Sequence, residues 1–72
     1  MKPLTLTFHT DAGHGWLEIP KSIVLLFGKL INEVTIYSYQ DKTNVYLEED
    51  CDAPLFLNEL RKRFDVKINE PD

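Results

Sequence analysis

The segment LTLTFH at residues 4 to 9 sets Leu4, Leu6 and Phe8 on one side of an extended chain and Thr5, Thr7 and His9 on the other. A period of two fits a half-buried strand and fits no helix, and the β-branched threonines suit a pleated surface. TDAGHG follows, in which Asp11 can bond its own backbone and Gly13 and Gly15 can take positive φ. GWLEI at 15 to 19 is therefore predicted to return as the second arm of a hairpin. Leu17 and Ile19 then join the face of Leu4, Leu6 and Phe8. A lone hairpin with one apolar face is at best marginal in water, so the rest of the chain has to supply its cover.

Two later segments can do so. Pro20 stops the strand, and PKSIVLLFG is long enough for a short helix that starts near Pro20 or Ser22 and ends at Gly28. From Ala53 the apolar spacing becomes Ala53, Phe56, Leu57, Leu60 and Phe64, the stripe of an amphipathic helix ending around Phe64 and Asp65. Asp52 is the natural N-cap of that helix, and Pro54 suits its first turn. Between the helices, EVTIYSYQ at 33 to 40 alternates again, DKTN reads as a turn and VYLEE as the returning strand, which makes a second hairpin. VKI at 66 to 68 offers a short fifth strand at an edge, and residues 69 to 72 are expected to fray. The fold class is α+β: a two-layer sandwich of order ββαββα, an antiparallel sheet with both helices on one face.

A chain of 72 residues with 43% hydrophobic and 28% charged side chains makes one domain, spanning residues 1 to 72, with a modest core. At this size independent folding is marginal, and a homodimer would add buried surface. The longest apolar run, IVLLF at 23 to 27, is far short of a membrane span, and the start of the chain carries no signal-peptide pattern. One cysteine makes no internal disulfide, which points to a reducing compartment, the cytoplasm. Twelve acidic against eight basic residues give a net charge of −4, which disfavours nucleic acid and anionic membranes and favours a basic partner.

The sheet face away from the helices is the one that can act. By alternation it carries Thr5, Thr7, Trp16, Glu18, Thr35, Tyr37, Tyr39, Tyr46 and Glu48, four aromatics among hydroxyls and acids. Aromatic sheet faces stack single-stranded bases in RNA-binding modules, but those need cations for the phosphates, and this face carries Glu18 and Glu48. Tyrosine and tryptophan also anchor protein interfaces, because they bury much area at low entropy cost. Beside the face lies an acidic stretch, Glu48, Glu49, Asp50 and Asp52, whose spacing is not that of a calcium loop. Negative charge there meets the positive end of the second helix, and Arg61, Lys62 and Arg63 balance the other end.

Two other constellations define the competing class, a small metal-dependent or thiol enzyme. His9, Asp11 and His14 supply the residue types of a two-histidine, one-carboxylate site, although HTDAGHG has no established metal spacing. Cys51 beside a helix start could be a nucleophile with His9 or His14 as base. Four neighbouring carboxylates oppose its thiolate, and Cys51 is expected to be a small apolar group of the core.

The strings GHGWLEI, YSYQ and YLEEDCDA resemble those of a group of small uncharacterised accessory proteins of bacteriophages and bacterial mobile elements, a likeness covering roughly residues 8 to 57. The resemblance implies a setting and no activity, ligand or catalytic residue. Small accessory proteins of that setting often bind a host protein, restriction or CRISPR machinery included, and setting alone does not establish activity. The expectation is a non-enzymatic, cofactor-free, cytoplasmic protein-binding module. Trp16, Tyr37, Tyr39 and Tyr46 would anchor it, with Glu18 among them. Glu48, Glu49, Asp50 and Asp52 would steer it toward basic residues, for instance the groove of a host nucleic-acid enzyme.

Overall fold

The computed structural model describes residues 1–28, 32, 34 and 38–71. Strand β1 (Lys2–Asp11) and strand β2 (His14–Pro20) form the first hairpin. A single α-helical turn, α1 (Lys21–Val24), then tightens into a 3-10 turn at Leu25–Phe27. A two-residue strand β3 (Tyr39–Gln40) and strand β4 (Asn44–Glu48) form the second hairpin. Helix α2 (Ala53–Leu60) leads into strand β5 (Phe64–Asn69). Among the described residues five strands form one sheet in the order β3-β4-β2-β1-β5, and the fold is α+β. Among the described residues no helix is long and apolar enough to cross a membrane.

Every neighbouring pair is antiparallel except β1 and β5, which run parallel from Lys2↔Phe64 to Thr7↔Asn69. The exception follows from connectivity. β4 is antiparallel to β2, and β2 to β1, so β4 points the same way as β1. A chain leaving β4 and re-entering beyond β1 in that direction must cross the sheet, and α2 is the crossover. The expected fifth strand is thus present, longer than 66 to 68, and Asn69 pairs with Thr7 instead of fraying.

Register decides which residues are inside. Phe8 lies opposite Leu17, Leu17 opposite Leu47, and Ile19 opposite Val45, so three strands present one aliphatic face. Leu6, Leu17, Ile19, Val45 and Leu47 are buried there, under Ala53, Phe56 and Leu60 of α2 and under Val24 and Phe27 of the first helical segment. Phe27 meets Phe56 edge-on at 6.5 Å, and the Arg63 guanidinium sits 4.8 Å above the Phe27 ring. Each fully buried aliphatic or aromatic side chain contributes roughly 1.5–3 kcal/mol, so this one-sided core supplies most of the stability of so short a chain.

Three expectations need correction. First, α2 ends at Leu60, because residues 61–63 turn and Phe64 enters the sheet. Phe64 satisfies both the helical stripe and the alternation Phe64, Val66, Ile68, and the free edge of β1 decides for the strand. Secondly, Asp52 occupies the N-cap position but its side chain makes no capping bond. Thirdly, of the two turn glycines Gly13 alone has a positive φ, +92°; at Gly15 a Cβ would fall 2.5 Å from Cζ of Phe8. The DKTN turn forms as expected: the Asp41 carboxylate accepts the backbone N–H of Thr43 at 2.9 Å and of Asn44 at 2.8 Å. The strand expected over Thr35 and Tyr37 lies outside the described residues.

Candidate functional site: an open face of stacked rings

The sheet face opposite the helices is assembled by the same register. His9 lies opposite Trp16, Trp16 opposite Glu48, Glu18 opposite Tyr46, and Tyr46 opposite Tyr39. Cross-strand neighbours of this kind stand close enough for large side chains to touch. Here the rings form a continuous series. His14 stacks on Trp16 (5.7 Å, 19°), Trp16 meets Tyr39 edge-on (5.8 Å, 73°), Tyr39 stacks on Tyr46 (4.7 Å, 14°), and Tyr46 tilts against His9 (6.0 Å, 57°). Tyr39 is 52% exposed and Trp16, Tyr46 and His9 are half-buried, so the series is open to solvent along its length.

Polar contacts hold the two rings at one end, His9 and Tyr46. His9 Nε2 is 2.7 Å from Glu18 Oε1. The Tyr46 hydroxyl donates to Asp41 Oδ2 at 2.8 Å. The two turn amides of Thr43 and Asn44, with that hydroxyl, hold the Asp41 carboxyl down at about 2. Donation to the same carboxylate, with burial, pushes the Tyr46 phenol up. The turn that closes the second hairpin therefore also fixes a ring of the face. Asp41 was not singled out in the sequence as a site residue, and Asp-x-Thr-Asn at a turn was the signal that could have found it.

The acidic stretch divides into two inward and two outward groups. Glu48 is only 8% exposed, and its carboxylate accepts the backbone N–H of Asp50 and, at 3.0 Å, of Cys51. The Asp50 amide is the largest reason its carboxyl lies below the usual range. Asp52 is 1% exposed. Its carboxylate accepts the hydroxyl of Ser38, whose oxygen in turn accepts the backbone N–H of Glu48 at 2.9 Å. Glu48 and Asp52 thus belong to the joint between β4 and α2, contrary to the expectation that both meet a partner. Glu49 and Asp50 are exposed.

Cys51 is exposed, which overturns its expected place in the core. Hydrogen bonding to Glu48, followed by burial and the surrounding carboxylates, pushes its thiol up. With Gly13, His14, Trp16, Glu48 and Asp50 it lines an open groove of ≈ 570 Å³ between the tip of the first hairpin and the acidic loop. The other proposed ligands do not converge. His9 is engaged with Glu18, while His14 Nδ1 lies 3.7 Å from Asp11 Oδ1. Among the described residues no three His, Cys, Asp or Glu side chains are gathered to hold a metal ion. Of the expected anchors, Trp16, Tyr39 and Tyr46 share one surface with Glu18, and Tyr37 lies outside the described residues. Compared with protein-family models, curated proteins and solved structures, the chain matches none, and a functional reading has to come from this face itself.

Proposed function

We propose that the protein is a non-enzymatic, cytoplasmic module that binds a basic protein partner through the ring-bearing face of its sheet. The observation that carries this reading is the unbroken series His14, Trp16, Tyr39, Tyr46 and His9, exposed on the face that neither helix covers. Rings already held by their neighbours and by hydrogen bonds lose little further freedom on binding, which favours them as anchors. Asp50 lines the groove beside His14 and Trp16, Glu49 is exposed next to it, and the two would steer a cationic partner, acting on on-rate and specificity more than on affinity. An accessory protein of phage or mobile-element type that blocks the basic groove of a host defence or nucleic-acid enzyme is the concrete form of this proposal.

The enzyme reading has less support, since the two histidines are engaged with different carboxylates and the thiol is held protonated. The single-stranded nucleic-acid reading would put phosphates beside Glu18. Affinity capture from a bacterial lysate tests the proposal, comparing the wild type with a Trp16→Ala, Tyr39→Ala double variant that unfolds at a similar temperature. A host protein retained by the wild type and lost from the variant supports it. Equal retention by both, or retention of nucleic acid alone, overturns it.

A further inference from the structure

The far edge of the sheet carries a second surface, independent of the rings. Among the described residues β5 is bonded to β1 alone, and alternate residues along its other side direct N–H and C=O groups away from the sheet. An open edge of this length is a template for another strand. Its side chains alternate cleanly. Phe64, Val66 and Ile68 lie on the core face opposite Lys2, Leu4 and Leu6, half-buried against the core without being enclosed by it. Asp65, Lys67 and Asn69 lie on the other face and are exposed.

We propose that β5 is a self-association edge, on which a second copy of the chain pairs its own β5 antiparallel about a two-fold axis through Val66. The sequence of the strand selects this occupant and this register. In an antiparallel pair, directly opposed residues share a face, so a symmetric pairing is centred on one residue of the strand. Centred on Asp65 it opposes two aspartates, and centred on Lys67 two lysines. Centred on Val66 it sets Asp65 of each copy opposite Lys67 of the other, Phe64 opposite Ile68 twice, and Val66 opposite Val66. Both charge pairs are then attractive and every core-face contact is apolar. The two sheets become one, and the incompletely covered row Phe64, Val66, Ile68 becomes part of a continuous apolar layer. Because the interface is isologous it closes at two copies and leaves the ring-bearing faces free.

Sedimentation equilibrium of the full chain, from micromolar to millimolar, tests the pairing. The wild type is expected to dimerise. Asp65→Lys alone or Lys67→Asp alone makes both cross-strand pairs repulsive and should raise the dimer Kd about tenfold. Mixing the two single variants restores both attractive pairs in the heterodimer, and so does combining them in one chain as D65K/K67D. That rescue separates lost pairing from lost folding. A wild type that stays monomeric at millimolar concentration overturns the proposal, as does a dimer insensitive to the single reversals or reversals not rescued by mixing. Trp16→Ala, Tyr39→Ala should leave the dimer intact; its loss in that variant would place the interface on the rings and overturn the β5 assignment while supporting the face as a contact surface.

Discussion

Asp50 and Asp52 are two residues apart in the same acidic stretch, yet the fold gives them opposite circumstances, and their alanine variants should differ sharply. Asp52 is 1% exposed and accepts the Ser38 hydroxyl, which itself receives the Glu48 amide at 2.9 Å. Removing the carboxylate deletes a charge-assisted hydrogen bond inside the joint between β4 and α2, a loss of about 1.5–3 kcal/mol. Asp50 is exposed, and the bond at its position is made by its backbone amide to Glu48, which Asp50→Ala keeps. That variant should stay within about 0.5 kcal/mol of wild type. Urea unfolding followed by Trp16 fluorescence reads the difference. With a slope of about 1 kcal/mol/M for so short a chain, Asp52→Ala lowers the midpoint by about 1.5–3 M and Asp50→Ala by less than about 0.5 M. Asp52→Ser adds a second discrimination, because serine is as good an N-cap as aspartate but is a bond shorter toward Ser38. Equal midpoints for Asp50→Ala and Asp52→Ala would refute the inward reading, and a fully stable Asp52→Ser beside a destabilised Asp52→Ala would restore capping as the role of Asp52.

Three further expectations are independent of that one. The Asp41 carboxyl, held at about 2 against an ordinary 3.8, contributes stability that is fully present above 3.8 and lost as pH falls through 2; the stability of Asp41→Asn, followed by thermal unfolding, should therefore vary less over that window. Gly15→Val places a Cβ 2.5 Å from Phe8 Cζ and 3.0 Å from Glu49 Cδ, and should cost about 1–3 kcal/mol in urea unfolding, with part of the loss recovered when Phe8→Leu is added. Cys51 is exposed with its thiol pushed up chiefly by Glu48, so a disulfide reagent at neutral pH should modify it more slowly than free cysteine, and Glu48→Gln should speed the reaction.

The parts of this fold legible in the sequence are those governed by local alternation. Leu4, Leu6 and Phe8 against Leu17 and Ile19 specify the first hairpin and its inner face, and Asp41 with Asn44 specifies the tight turn of the second. What escaped were outcomes of competition between distant segments. Phe64 fits a helix by spacing from Leu60, and only the availability of β1 as a parallel partner makes it a strand residue. Isolated carboxylates at Glu48, Asp50 and Asp52 look equivalent, because hydrophilicity carries no information about which will find buried amide or hydroxyl donors. Glu48 and Asp52 found them through Ser38 and the turning backbone, and the same turn lifted Cys51 to the surface.

The openness of the ring-bearing face follows from how the layers are allotted. β4 and β5 point the same way, so the only α-helix of more than one turn among the described residues is used as the crossover between them and lies on the aliphatic side. The described residues form two layers, and the opposite face meets water with the side chains it has. Rings in that position reduce their exposure by packing sideways on each other, which accounts for the stacking of Tyr39 on Tyr46 and of His14 on Trp16. Stacking covers one face of each ring and leaves the rest wet, and Tyr39 at 52% exposed keeps about half of its area available. Truncating Tyr39 should accordingly cost only about 1–2 kcal/mol of folding stability, because about half of its surface stays exposed after folding. If Tyr39→Ala instead unfolds the chain, the rings are a second core and their role in recognition falls with that result.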